Sequence, residues 1–217
     1  MRENLESFLI RYAPKTPDEL LLPPIERNQV AAFIEKPAAG LWVIHGDMGL
    51  GKTQAAIMMG HAASEDILEI DREDATEIAN RRYVSSKRST MDSGLWVYML
   101  NDAETTTPEV MEHLVLVAKD PGKAVWLLTT DQPEKLPAEL LDNAHQIHFS
   151  KRGLSKMAVP RLSQIAALEG HSLSKEEALS LLRKSKNNMR VAVSKLEDKL
   201  EDHFPSPPST SPEQTVR

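Results

Sequence analysis

Short apolar runs alternate with mixed, amphipathic segments along the chain up to Phe149, and this alternation predicts strands and helices in turn. Unbroken apolar runs of this kind are typical of strands buried on both faces of a parallel sheet. The amphipathic segments between them predict helices that cover the two faces, which makes the fold class α/β with a parallel αβα arrangement. The predicted strands are Leu41–Ile44, Ile67–Asp71, Leu95–Leu100, Ala124–Thr129 and Gln146–Phe149.

Helices are predicted from the spacing of apolar residues and from residues that begin or end a helix. An amphipathic helix is predicted at Ile25–Ile34. Thr107 and Pro108 predict the start of another, which runs to about Lys119 and ends at Asp120-Pro121-Gly122. The remaining predictions for this part of the chain are an extended segment at Leu9–Leu20, a helix at Ala75–Ser86 and a short helix at Leu136–Leu141.

From Gly153 onward the pattern predicts helices only, at residues 155–168, 174–184 and 188–202. Ser174 and Glu177 have the spacing of a capping box, and Pro160 predicts a first helical turn or a kink. Proline and serine dominate after Phe204, a composition typical of disorder. The predicted organisation is a lead-in with a first helix (1–40), an αβα core (41–152), a small helical domain (153–203) and a tail (204–217).

The strongest chemical signal is Gly46-x-x-x-x-Gly51-Lys52-Thr53, which directly follows the first predicted strand. Strand, glycine-rich loop and helix stand here in the order of a P-loop. The backbone N–H groups of such a loop surround phosphate oxygens, and the helix N-terminus adds a positive dipole end. Lys52 is expected to reach the β- and γ-phosphates, and the Thr53 hydroxyl to bind Mg²⁺. The predicted nucleotide-binding residues of the loop are Gly46, Asp47, Met48, Gly49, Leu50, Gly51, Lys52, Thr53 and Gln54.

Composition narrows the function classes further. The 217 residues predict one domain with a small companion, and no apolar run approaches the ~18 residues of a transmembrane helix. A polar start predicts no signal peptide, and the absence of cysteine excludes disulfides, a thiol nucleophile and cysteine-bound zinc. We therefore expect a cytoplasmic protein. The net charge of −6 argues against a globally basic nucleic-acid binder, so any DNA contact is expected from a local patch.

Four stretches resemble the AAA+ subunits of clamp loaders, over roughly residues 9 to 200. Arg11–Glu19 resembles the N-terminal segment of these subunits, and Val97–Asp102 resembles their Walker B strand. Leu127–Pro137 is similar to the sensor 1 strand and its loop, with one inserted residue. Asn188-Met189-Arg190 falls where the sensor 2 motif is expected. The resemblance implies an AAA+ P-loop NTPase with a five-stranded αβα domain and a three-helix lid.

The same resemblance implies cofactors, partners and residue roles. Such subunits assemble with other AAA+ subunits into rings that use ATP and Mg²⁺ to open a sliding clamp on primer–template DNA. Hydrolysis is expected to be weak in isolation. The roles that carry over are adenine contacts for Tyr12 and Pro14, sensor 1 for Thr130, sensor 2 for Arg190, a metal role for Asn101, metal and catalytic roles for Asp102, and DNA-backbone contacts for Arg81, Arg82, Lys87 and Arg88. The alternatives are that Arg190 and the basic cluster are solvated helix faces and that Thr130 is only a cap.

The pair Asn101-Asp102 departs from the usual Asp-Glu of Walker B. An Asn can hydrogen-bond a Mg²⁺-bound water but carries no charge. Asp102 is one methylene shorter than the usual Glu base, and misplacement on that scale costs about a hundredfold in rate. With a shift of one residue, Asp102 would take the metal role and Glu104 the role of base. The alternative is that Glu104 is a solvated loop acid.

Two further departures concern assembly. Leu141–His145 occupies the place of the usual Ser-Arg-Cys, so no arginine finger is expected there, and Arg152 lies too far along the chain. No collar helices are expected after the lid, so the ring is held by AAA+ contacts or by other subunits, or no ring forms.

The sequence is compatible with three functions: a clamp-loader ATPase, a non-hydrolysing scaffold subunit like delta-prime, and a helicase-loader or accessory ATPase of a mobile element.

Overall fold

A computed structural model of the chain describes residues 6–70 and 94–201 and shows a parallel sheet followed by a helical unit. The strands are β1 (Gly40–Gly46), β2 (Ile67–Ile70), β3 (Trp96–Leu100), β4 (Ala124–Thr130) and β5 (His145–Phe149). The α-helices of the described part are α1 (Phe8–Arg11), α2 (Pro24–Glu35), α3 (Lys52–Ala63), α4 (Pro108–Lys119), α5 (Ala138–Asn143), α6 (Leu154–Leu168), α7 (Lys175–Lys184) and α8 (Met189–Glu201). The predicted helix at Ala75–Ser86, the basic residues Arg81, Arg82, Lys87 and Arg88, and the tail (204–217) lie outside the described residues.

The five strands form one sheet in the order β2-β3-β4-β1-β5, and every neighbouring pair is parallel. The predicted parallel sheet is therefore confirmed. Because β1 lies between β4 and β5, its carboxyl end, Gly46, is next to both of theirs. In an open parallel sheet, ligands bind beyond the carboxyl ends of the strands, where the connections diverge. The P-loop and the segments after β3 and β4 all start at that edge.

Each face of the sheet has its own hydrophobic cluster, as expected for a layered fold. One cluster joins the sheet to α2, α3 and the helices α6–α8, and the other joins it to α4 and α5. Tyr98 and Trp126 stack on the second face with ring centroids 4.3 Å apart. The central strand β4 is buried at every position, as its unbroken apolar run predicts. The helices α6–α8, called the lid below, thus pack on the same side as the P-loop helix α3.

One local prediction was wrong, and another was correct in type but displaced by two residues. The segment Leu9–Leu20 is not extended throughout, because α1 and a 3₁₀ turn at Pro17–Glu19 interrupt it. The Ser7 hydroxyl accepts a hydrogen bond from the Leu9 N–H at 3.3 Å and so caps α1. The helix predicted at Leu136–Leu141 begins and ends two residues later, since a 3₁₀ turn at Pro133–Lys135 and Pro137 precede it.

The lid follows its sequence signals more closely. The Ser174 hydroxyl accepts from the Glu177 N–H at 3.2 Å, and the Glu177 carboxylate accepts from the Ser174 N–H at 3.0 Å, which confirms the predicted capping box. The Lys199 ammonium and these hydrogen bonds lower the pKa of Glu177 to about 2. Pro160 lies in the interior of α6 rather than in its first turn, so of the two predictions for this proline the kink stays a prediction. Among the described helices, none has the length and apolar character required to cross a lipid bilayer.

Candidate functional site

The P-loop turns sharply between β1 and α3, and its glycines make the turn possible. Gly46, Gly49 and Gly51 have φ angles of 121°, 78° and 90°, a region that side chains disfavour. The loop also passes close to β5, where the Asp47 N–H donates to the Phe149 carbonyl at 3.0 Å. A Cβ atom on Gly46 would lie 2.1 Å from that carbonyl oxygen. Glycine is therefore required at Gly46 for two reasons, its backbone angles and its distance from β5.

Lys52 lies at the start of α3 and is buried, with 8% of its surface exposed. Its Nζ donates to the Gly46 carbonyl at 2.8 Å and to the Asp47 carbonyl at 2.9 Å. The same Nζ forms an ion pair with Oδ1 of Asp131, the residue directly after β4. An ammonium has three donors, so these three contacts use its full capacity.

The predicted phosphate-loop residue Asp47 turns towards β5 and pairs with Lys151. Its Oδ1 lies 3.1 Å from the Lys151 Nζ, and its Oδ2 accepts from the Lys151 N–H at 3.2 Å. Burial raises the pKa of Asp47, but the hydrogen bonds and charge of Lys151 outweigh burial and leave the pKa below its usual value. The side chain of Asp47 thus fastens the P-loop to Lys151, just beyond β5, while its backbone carbonyl accepts a hydrogen bond from Lys52.

A cavity of about 340 Å³ lies between the P-loop, the lead-in and the lid. This volume is within the ~300–1,000 Å³ range of small-molecule sites. The cavity brings together most of the predicted site residues from four separate parts of the sequence. Those that line it are Tyr12, Pro14, Met48, Gly49, Leu50, Gly51, Lys52, Thr53, Gln54, Asp102 and Arg190.

Hydrogen bonds and an ion pair fasten the lead-in wall of the cavity to the lid. The Tyr12 hydroxyl donates to Glu169, which also pairs with Arg11 at 2.5 Å. Burial and the hydrogen bond to Glu169 raise the pKa of Tyr12. Arg161 of α6 lines the cavity and donates to the Tyr12 carbonyl at 3.1 Å. Sequence reasoning missed Arg161, because nothing but its place on a lid helix distinguishes it.

Asn101 and Thr130 are not among the described residues that line the cavity. The Asn101 amide donates to Glu69 at 2.8 Å and accepts from the Thr129 hydroxyl at 2.9 Å, so both of its ends are engaged. Thr130 is fully buried, and its hydroxyl accepts from the Gln132 N–H at 3.0 Å. Thr130 thus caps the turn after β4 in this structure. The predicted metal role of Asn101 and sensor role of Thr130 stay predictions.

Two acidic residues line the cavity after the ends of β3 and β4, Asp102 and Asp131. Asp102 adopts a left-handed backbone with φ 51°, and Asp131 pairs with Lys52. Glu104, the alternative base, is not among the described residues lining the cavity. A carboxylate and a hydroxyl are oxygen ligands that suit Mg²⁺, so Asp102 and Thr53 fit a magnesium ion that arrives with phosphates. Of the described residues, Asp102 lines the cavity whereas Asn101 and Glu104 do not, so the roles of Asp102 as metal ligand and as base both stay predictions.

The lid contacts the P-loop directly through Asn188. A Cβ atom on Gly49 would lie 2.0 Å from the Asn188 Oδ1, which itself accepts from the Val191 N–H at 3.2 Å. Asn188 therefore caps the start of α8 and rests on the P-loop with the same side chain. The sequence pattern placed Asn188 in the lid but did not indicate this contact.

Gly49→Ala is expected to destabilise the protein more than Gly170→Ala. Both glycines are left-handed, with φ of 78° and 80°, but within the part of the chain that the structure describes nothing lies within 4 Å of a Cβ at Gly170. Gly170→Ala should therefore cost only backbone strain, about 1 kcal/mol, whereas Gly49→Ala should cost at least about 1 kcal/mol more. Urea denaturation of both variants measures the difference. Equal losses in the free energy of unfolding would show that the Asn188 side chain moves aside without cost. If Gly49→Ala loses more, the double variant Gly49→Ala/Asn188→Gly should recover part of the difference.

Comparison of the sequence with known proteins finds clamp-loader subunits. No family model matches the chain. Over 207 residues the chain is 26% identical to replication factor C subunit 3 of Blastobotrys adeninivorans. The matched region covers 90% of this chain and 61% of that relative. It is 20% identical over 199 residues to the replication factor C large subunit of Pyrococcus horikoshii, covering 88% of this chain and 42% of the relative.

Comparison of the structure finds AAA+ ATPases. Two variants of Thermotoga maritima RuvB superpose with TM-scores of 0.66 and 0.68, at 15% and 14% identity, over 88% of this chain. These matches cover 65% and 66% of the RuvB chains. The chain thus spans less than two thirds of each replication factor C subunit and of each RuvB chain. The AAA+ P-loop NTPase fold is confirmed, and so is the resemblance to clamp-loader subunits.

Proposed function

We propose that this chain is an ATP-binding AAA+ subunit of the clamp-loader type that acts in DNA replication. The observation that carries the proposal is the cavity whose walls come from the P-loop, the Tyr12–Pro14 lead-in and the lid residue Arg190. The resemblance to replication factor C subunits supports the clamp-loader assignment. On this proposal the partners are other AAA+ subunits, a sliding clamp and primer–template DNA.

Nucleotide binding would act on the angle between the core and the lid. Lys52 and the P-loop belong to the core, whereas Arg190, Met189 and Val193 bring α8 to the same cavity. A phosphate chain between Lys52 and Arg190 would attract both cations, so its charge would favour a closed lid. Because Tyr12 is bonded to Glu169 and Arg161, the lead-in wall would move with the lid.

Hydrolysis would be slow in the isolated subunit. Mg²⁺, held by Thr53, Asp102 and the phosphates, would neutralise charge that develops on the phosphoryl group. Asp102 lines the cavity and would orient or deprotonate the attacking water. The neighbouring Asn101 adds no second carboxylate, and its amide is already hydrogen-bonded to Glu69 and Thr129. A partner would have to supply an arginine, since none is predicted at the finger position.

A second candidate is a nucleotide-stabilised scaffold subunit that does not hydrolyse ATP. The engaged amide of Asn101 and the capping role of the Thr130 hydroxyl favour it, because neither is among the described residues that line the cavity. A third, a helicase-loader or accessory ATPase, shares the same fold. Co-purification with a clamp or with a replicative helicase separates this third candidate from the first.

Lys52→Met tests the nucleotide site. Wild type is expected to bind ATP·Mg²⁺, and loss of the ammonium should weaken binding about 10- to 100-fold, the value of one or two charge-assisted hydrogen bonds. Lys199→Met, which removes a lysine paired with Glu177 at 2.7 Å on the lid, is the control and should bind ATP like wild type. Calorimetric titration measures all three proteins. Absence of ATP binding in folded wild type, or equal affinity in Lys52→Met, would overturn the proposed site.

A further inference from the structure

The ion pair between Lys52 and Asp131 has no part in the function proposed above. Asp131 follows β4 directly, lines the cavity, and keeps its carboxylate against a lysine that is 8% exposed. The other two Lys52 contacts are backbone carbonyls of the P-loop, at Gly46 and Asp47. Those carbonyls are fixed by the loop, whereas Asp131 is a side chain that can change rotamer. Of the three acceptors, Asp131 is therefore the one that can leave.

The position of the Asp131 carboxylate is also the position at which a phosphate would meet Lys52. With two donors of the ammonium directed at Gly46 and Asp47, the third points along the contact with Asp131. Two anionic oxygens that both contact one ammonium lie within about 6 Å of each other and repel. A phosphate oxygen and the Asp131 carboxylate therefore compete for one donor.

We propose that Asp131 is a built-in competitor for the phosphate-binding donor of Lys52, which a nucleotide polyphosphate must displace in order to bind. This inference rests on the proposed nucleotide site and adds how that site discriminates. Displacement requires an anion of higher charge than one carboxylate, so ATP can achieve it. In a P-loop the lysine reaches the β- and γ-phosphates, so the single phosphate of AMP is not expected to reach Lys52 and AMP should gain nothing from displacement. Asp131 thus selects for the polyphosphate chain and against weak anions. It acts through Lys52 as a positioning residue.

Asp131→Asn is the test, measured by calorimetric titration of ATP and AMP in EDTA so that neither Mg²⁺ nor hydrolysis contributes. The variant is expected to bind ATP about tenfold more tightly and AMP unchanged, because a neutral amide holds the ammonium less strongly than a carboxylate. Asp102→Asn removes a charge from the same cavity without touching Lys52 and should tighten ATP binding clearly less. In the Lys52→Met background, Asp131→Asn should change neither affinity.

A second readout uses stability. Without the Asp131 carboxylate, buried Lys52 loses a charged partner, so ligand-free Asp131→Asn should have a lower melting temperature than wild type. Addition of ATP should raise the melting temperature of the variant by more than it raises that of wild type. Asp131→Ser should behave alike and replaces Asp131→Asn if the latter does not fold. Unchanged or weaker ATP binding in these variants, or equal tightening for AMP, overturns the inference while leaving the proposed function intact. If wild type binds no ATP, the proposed function and the inference fall together.

Discussion

Gly46→Ala is expected to destabilise the protein by about 3 kcal/mol or more, because the new methyl group would meet backbone that cannot move aside. A Cβ atom there lies 2.1 Å from the Phe149 carbonyl oxygen and 2.9 Å from its carbon. Phe149 ends β5, is fully buried, and its carbonyl accepts the Asp47 N–H. Relief therefore requires β1 and β5 to separate at the P-loop, which breaks the register Gly46↔Phe149.

The chain contains a matched control for backbone strain. Gly94 has φ 126°, close to the 121° of Gly46, and no atom of the described residues lies within 4 Å of a Cβ at Gly94. Gly94→Ala should therefore show only the cost of the unfavourable φ, about 1–3 kcal/mol. The free energies of unfolding from urea titrations give the comparison. If both variants lose the same free energy of unfolding, the contact with Phe149 contributes nothing. The requirement for glycine at Gly46 would then come from its backbone angles alone.

Most of the fold could be predicted because its signals are local. The apolar run of β4, the glycines of the P-loop and the capping box of Ser174 and Glu177 each depend on neighbours a few residues away. The lead-in was mispredicted for the opposite reason. α1 (Phe8–Arg11) is held by Glu197, which accepts the Phe8 N–H at 2.9 Å from far along the chain. That distant contact, together with the Ser7 cap, holds the start of the helix.

The candidate site shows the same division. Motif spacing was sufficient to place Lys52 and Asp102 in one cavity. It was not sufficient for Asn101 or Thr130, whose side chains point according to hydrogen bonds with Glu69, Thr129 and Gln132. A motif fixes where the backbone of a residue lies at the end of a strand. The direction of its side chain depends on which polar neighbours the fold supplies.

Asp102→Asn is expected to lower ATP turnover about 10²- to 10⁴-fold while ATP binding changes by less than about threefold. The choice of Asn matters because Asp102 is left-handed, with φ 51°, and Asn is among the few residues that tolerate this region. The substitution thus removes the charge and keeps the backbone, which Asp102→Ala would not ensure. Turnover is measured with and without primed DNA, and binding by titration.

Glu104→Gln decides between the two registers of Walker B. The Glu104 Oε2 is buried, and this residue is not among the described residues lining the cavity, so the variant should turn over ATP like wild type. A different assignment follows if Glu104→Gln abolishes turnover and Asp102→Asn chiefly raises the Mg²⁺ concentration that turnover requires. In that case Asp102 binds the metal, and Glu104 moves into the cavity and acts as the base. If wild type binds ATP but never hydrolyses it, with or without primed DNA, both carboxylates lose their catalytic roles. ATP would then stabilise the contact between core and lid, as in a scaffold subunit, because the cavity walls from both units would still close on it.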